Sequence, residues 1–300
     1  MRRKHPYKVV LCMLACFAAV PLAAQTTIGG GTCNSSSLNG SYSFTITGRQ
    51  VTGSAITNYF QANGFANFDG QSQISITMTS DTLQAFGVSL PWAGSYSIQA
   101  NCQGTVTIAT GGAGTFNLVV YNQGNGFLMT GADGTLSYSG SGNLQPASCL
   151  TNLLSGVYTM NATGYGVTPT ALNAVSDATG LFQFDGQGNA TANITLAAPG
   201  AALATLSLTG TYSVGSNCLG TATLSDNKGN TYSLVISVTG SSKIATNTFS
   251  LLLTRTGSLM ISGTGHATYG QPTASAAREP NAPPTRPALQ AKAPRKGERA

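Results

Sequence analysis

The chain repeats itself. At an offset of 116 residues and with no gap, Cys33 aligns with Cys149, Leu38 with Leu154, Gly40 with Gly156 and Tyr42 with Tyr158. The register holds through Phe68-Asp69-Gly70-Gln71, which returns as Phe184-Asp185-Gly186-Gln187. It holds again through Asn101-Cys102 and Gly104-Thr105, which return as Asn217-Cys218 and Gly220-Thr221. Past Leu118-Val119, matched by Leu234-Val235, the second copy carries about seven extra residues around Thr239 to Thr248. Ser139-Gly140-Ser141-Gly142 then resumes as Ser262-Gly263-Thr264-Gly265. A repeat this long is a duplicated domain, because solenoid units are shorter and usually number three or more. The expected organisation is a leader over 1–24, a first domain over 25–147, a second over 148–270 and a tail over 271–300.

Within a copy the apolar residues alternate with period two, which gives a strand one face to bury. Tyr42, Phe44 and Ile46 show it, as do Ile74, Ile76 and Met78, and Tyr232, Leu234 and Ile236. Asn63-Gly64, Asp69-Gly70, Asn125-Gly126, Asp133-Gly134 and Asp185-Gly186 stand where hairpin turns with positive φ are expected. Charged residues make up only 7% of the chain, so the material for solvated helices is scarce. The expected fold is all-β, with two tandem antiparallel up-and-down barrels of about eight strands each. Two β-sandwiches are the alternative. Closure favours the barrel, since it removes sheet edges that this chain has few lysines to guard.

Arg2, Arg3 and Lys4, the apolar run Val9 to Leu22, and Ala23-Ala24 before Gln25 read as a secretory signal peptide cleaved after Ala24. The run is shorter than the ~20 residues a spanning helix needs. A lipoprotein box at Cys16 fits poorly, because the apolar run continues past it. The protein is therefore expected outside the cytoplasm, in the periplasm, on the cell surface or in the medium. Its formal charge of +6 sits mostly at the ends. Between Gln25 and Gly270, Arg49, Lys228, Lys243 and Arg255 face Asp69, Asp81, Asp133, Asp177, Asp185 and Asp226, a formal −2. A body without a basic patch excludes nucleic acid as its partner. The tail carries Arg278, Arg286, Lys292, Arg295, Lys296 and Arg299 with few apolar residues. It is expected to be disordered, and its charge suits anionic envelope polymers.

With Cys12 and Cys16 removed in the leader, Cys33, Cys102, Cys149 and Cys218 remain, at the same spacing of 69 in each copy. One pair per copy at equal separation favours Cys33 with Cys102 and Cys149 with Cys218 as structural disulfides. Metal ligation would need clustered ligands, and these are far apart in sequence.

The groups that could do chemistry are few. The body has no glutamate and a single histidine, His266, whose counterpart in the first copy is Asn143. Asp69 and Asp185 recur in the same motif, yet one acid per copy suits a turn better than calcium. Serine is plentiful, but no Gly-x-Ser-x-Gly elbow occurs. Trp92, the only tryptophan, and the recurring Tyr42, Tyr96, Tyr158 and Tyr212 read as core and architecture before ligand contact. No catalytic, cofactor or metal residue is assigned.

The series Leu-Asn-Gly-Ser-Tyr-Ser-Phe from Leu38, Phe-Asp-Gly-Gln from Phe68, and Gly-Ser-Tyr with Asn-Cys-x-Gly-Thr from Gly94 resembles a group of secreted bacterial repeat proteins known mainly as uncharacterised. The resemblance implies export and a β-domain and carries no catalytic residues with it. Three functions are consistent with these features. The first is a non-enzymatic structural or adhesive binding module of the envelope or extracellular space. The alternative is a carrier of small apolar ligands inside calycin-like barrels, and the third is a hydrolase with an unrecognised site.

Overall fold

A strand with one apolar face must have that face covered, and eight such strands joined in series can cover it by curling into a closed sheet. The computed structural model describes residues 32–268 except 54, 83–86, 113, 134–135, 169–170, 241–247 and 257–258. The leader over 1–24 and the tail over 271–300 lie outside the described residues, as does part of the Asp133-Gly134 pair.

Two closed antiparallel barrels account for nearly all of it. The first runs β1 (Asn39–Thr52), β2 (Ala55–Asp69), β3 (Gln73–Thr82), β4 (Val88–Ile98), β5 (Gln103–Thr110), β6 (Gly114–Tyr121), β7 (Gly126–Asp133) and β8 (Leu136–Leu144). The second runs β9 (Ser155–Thr168), β10 (Ala171–Asp185), β11 (Asn189–Ala197), β12 (Ala204–Val214), β13 (Leu219–Asp226), β14 (Thr231–Thr239), β15 (Thr248–Thr256) and β16 (Leu259–Ala267). Each is an up-and-down meander whose last strand returns to its first. Tyr42 lies opposite Leu144 in one barrel and Tyr158 opposite Ala267 in the other. The sandwich alternative is set aside.

The period-two residues fill the interiors. In the first barrel the Phe68 ring meets Tyr42, Tyr96 and Phe127 edge-on at 5.4, 4.9 and 5.6 Å. In the second, Phe184 meets Tyr158, Tyr212 and Phe249 at 5.5, 4.8 and 5.4 Å. Such pairs add roughly 0.5–1.5 kcal/mol each beyond the area they bury. Gly94 and Gly210 allow the sheet to close tightly at matching places, since a Cβ on either would come within 2.0 Å of the carbonyl oxygen of Thr107 or Thr223.

The recurring tyrosines also seal one end of each barrel. A short 3-10 turn, Ser35–Ser37 in the first copy and Thr151–Leu153 in the second, precedes the first strand. The Tyr96 hydroxyl donates to the carbonyls of Ser35 and Leu38 at 2.9 and 3.0 Å, and the Tyr212 hydroxyl reaches those of Thr151 and Leu154. Desolvation pushes both phenols up to about 12, so they remain donors throughout the neutral range. The disulfides bolt the same segments down: Cys33 is bonded to Cys102 and Cys149 to Cys218, with Cα atoms 4.9 and 5.0 Å apart.

Two turn expectations come out differently. Asn63-Gly64 is no turn but lies inside β2, with Gly64 opposite Phe44 and Met78 on its two neighbours. Glycine is needed there because a Cβ would sit 2.2 Å from the Thr77 carbonyl oxygen. Asp69-Gly70 does turn the chain, but through a longer loop in which the carboxylate accepts from the backbone N–H of Gln71, Ser72 and Gln73 at 2.7, 2.8 and 3.0 Å. Only Gly70 takes positive φ, at 76°.

Candidate functional site

A carrier of apolar ligands needs an empty interior, of some hundreds of Å³ for a drug-sized molecule. The interiors here hold about 10 Å³ of free space in the first barrel and about 40 Å³ in the second. Among the described residues side chains fill the space around these hollows, which admit one to a few waters and not a lipid. The carrier alternative has no support in this geometry.

The residues singled out from the sequence fall mainly into structural places. Asp185 repeats the capping role of Asp69, accepting from Gln187 and Asn189 backbone N–H groups at 2.7 and 2.9 Å. The Asn189 side chain leads the causes that hold the Asp185 carboxyl below its ordinary range, while backbone N–H donors lead at Asp69. These carboxylates are spent on backbone. Trp92 is half-buried against the first core, its ring 6.2 Å from Phe116. His266 is exposed on β16, and the Thr159 hydroxyl donates to its carbonyl. Among the described residues no three His, Cys, Asp or Glu side chains gather as metal ligands.

The polar chemistry instead collects where the barrels meet. Strands β1 and β2 of the first pack their outer faces against β14, β15 and β16 of the second. Asn63, fully buried, donates from Nδ2 to the Val235 carbonyl at 3.4 Å and accepts from the hydroxyls of Ser237 and Ser250 at 2.6 and 3.3 Å. Ser43 donates to the Val238 carbonyl at 2.8 Å and accepts from Gln145 Nε2 at the same distance. The Gly240 amide donates to the Leu144 carbonyl, and Gln61 Nε2 to that of Thr163. Leu252, on the outer face of β15, is nonetheless fully buried. Tyr59 and Tyr165, one from each barrel, lie with ring centroids 4.0 Å apart. Buried polar groups that find partners across a contact fix its geometry, because sliding would strand them.

Beside this seam runs an open trough. The outward residues of β1, β8 and β7 stand in cross-strand rows: Thr45, Ser141 and Leu128; then Thr47, Ser139 and Thr130; then Arg49 opposite Ser137. Three adjoining hollows of about 310, 370 and 50 Å³ share these rows and so form one channel. Tyr165 of the second barrel walls one end, and Thr248, Thr264 and His266 line the other. Arg49 is exposed and hydrogen-bonds the Tyr165 hydroxyl. Burial pushes that phenol above its ordinary range, and the Arg49 charge opposes the shift.

Neither seam nor trough was foreseen from sequence. Asn63 reads as a turn residue and the Thr and Ser of β1 and β8 as solvated faces. The strand registers also spread the extra residues of the second copy, grouped by sequence around Thr239 to Thr248, over the β13–β14, β14–β15 and β15–β16 hairpins, so that Leu118 answers to Ile236 and Val120 to Val238.

No family model and no curated protein matches the chain. Among solved structures, a protein of unknown function of the DUF3598 family from Nostoc punctiforme PCC 73102 is similar at 10% identity and a TM-score of 0.23. That match covers 77% of this chain and 97% of that one.

Proposed function

We propose that the chain is an exported, non-enzymatic binding module of the cell envelope or extracellular space, with residues 25–147 and 148–270 each forming one capped barrel. The observation that carries this reading is the seam, in which buried hydrogen bonds lock two filled barrels together and leave the outer surface as the place to bind. The leader-like segment before Gln25 and the two disulfides support export, since such bridges persist in oxidising compartments. Linking two domains rigidly suits an extended, repeating target better than a small free molecule, because both can engage it at once.

The test is cell fractionation followed by rebinding. The protein should be recovered outside the cytoplasm with residues 1–24 removed, and when purified it should sediment with intact cells or isolated envelope. Recovery in the cytoplasm with the leader intact, or no sedimentation with either material, defeats the proposal.

A further inference from the structure

We propose that the trough along β1 and β8 is a binding site for an acidic polysaccharide chain, with Arg49 taking a sugar carboxylate and the threonine and serine rows taking ring hydroxyls. This rests on the envelope-binding reading above and names its ligand class. The trough follows β1 from Thr45 to Arg49, roughly 13 Å at ~3.3 Å per residue, and it is open over that length. An extended polymer fits that shape.

The lining selects its chemistry. Thr45, Thr47, Ser139 and Ser141, with Asn143 at one end, each offer a donor and an acceptor on a short side chain. A surface of this kind matches a polymer whose own groups are mostly hydroxyls, and short side chains lose little entropy on contact. Of the residues lining the three hollows, Arg49 alone is charged. Its planar fork pairs with a carboxylate in two parallel hydrogen bonds, and the Tyr165 hydroxyl stands beside it.

Other polymers fit less well. An extended peptide binds by adding a strand to an unpaired sheet edge, and closure leaves β1 and β8 paired on both sides. A helical peptide needs an apolar groove, whereas Leu128 is the one large exposed apolar side chain in the rows. One cation is too few for nucleic acid.

The experiment is calorimetric titration of the natively purified protein with polygalacturonate, a uronate polymer, and with dextran, a neutral one. Polygalacturonate is expected to bind at least ten-fold more tightly than dextran, and Arg49→Gln should remove most of that preference. Ser139→Tyr places a ring across the trough while keeping every charge, including those of the basic tail, and should weaken both polymers at least ten-fold. Equal binding of the two polymers, or polygalacturonate binding that Ser139→Tyr leaves unchanged, overturns the proposal. Sedimentation with envelope but no polygalacturonate binding overturns the ligand class and leaves the envelope reading standing. Failure of both assays removes both.

Discussion

A buried carboxylate without a counter-charge takes up a proton more readily than a solvated one. Asp81 on β3 is fully buried; its Oδ1 accepts from the Gly87 amide at 2.6 Å, while among the described residues Oδ2 meets no donor. Directly opposite on β2 stands Gln61, also buried, whose Oε1 has no donor either. Desolvation raises the Asp81 carboxyl to about 6, against about 3.9 unfolded, despite the opposing Gly87 hydrogen bond. With the folded value raised, the stabilisation is present below about pH 4 and is lost as pH rises through 6, a change of roughly 2–3 kcal/mol. Asp69, Asp185 and Asp226, held low by hydrogen bonds, act in the opposite sense and only at more acid pH. Thermal melts should therefore give a higher Tm near pH 4.5 than at pH 7. Asp81→Asn, which keeps the acceptor for Gly87 and adds an N–H donor, should flatten that dependence and raise the Tm at pH 7; an unchanged slope would rule out Asp81 as its source. None of this was legible in the sequence. An outward polar residue on a strand looks the same whether water or another barrel faces it.

At the scale of elements, the alternation of apolar residues and the equal cysteine spacing were enough to read the strands and the bridges, since both depend on local or repeated pattern. The role of the β14 end was not readable, because the Val238 carbonyl and the Gly240 amide bond to the other barrel. In the first copy the matching connection is a tight turn in which Asn122, Gln123 and Gly124 all take positive φ, at 51°, 56° and 86°. In the second, β14 ends at the equivalent residue, Thr239, and beside that end the Val238 carbonyl accepts from Ser43 and the Gly240 amide donates to Leu144. Replacing residues 240–247 with the short Asn122–Asn125 turn should leave the second barrel folded, since that turn already joins the equivalent strand ends of the first. The seam should loosen, and near-UV circular dichroism should lose the contribution of the close Tyr59–Tyr165 pair while the far-UV spectrum stays β. Retention of the tyrosine signal would show that the hairpin does not hold the seam.

For the whole molecule, the same buried bonds predict one cooperative unit. Denaturant unfolding should show a single transition in the native chain. Asn63→Ala removes the donor to the Val235 carbonyl and the acceptor shared by Ser237 and Ser250, leaving those two hydroxyls only each other; at a cost of about 1–3 kcal/mol it should resolve two transitions, one per barrel. Two transitions in the native chain would deny the coupling. Removing Cys33 and Cys102 together should cost the first barrel about 4 kcal/mol on the chain-entropy view. That there are two barrels was legible from the repeat, but their docking was not, because neither copy's seam residues are repeated in the other. The contact is of the head-to-tail kind: β1 and β2 of one copy meet the counterparts of β6, β7 and β8 in the next. Contacts of that kind do not satisfy themselves in pairs, and a run of identical copies would continue as a filament unless it closed into a ring. Here Asp177 and Thr179 stand at the positions of Gln61 and Asn63, and Val119 at that of Ser237, so each outer face lacks the side chains that bond across the seam. Divergence between the repeats thus takes from both free faces the side chains that would let the same seam form again.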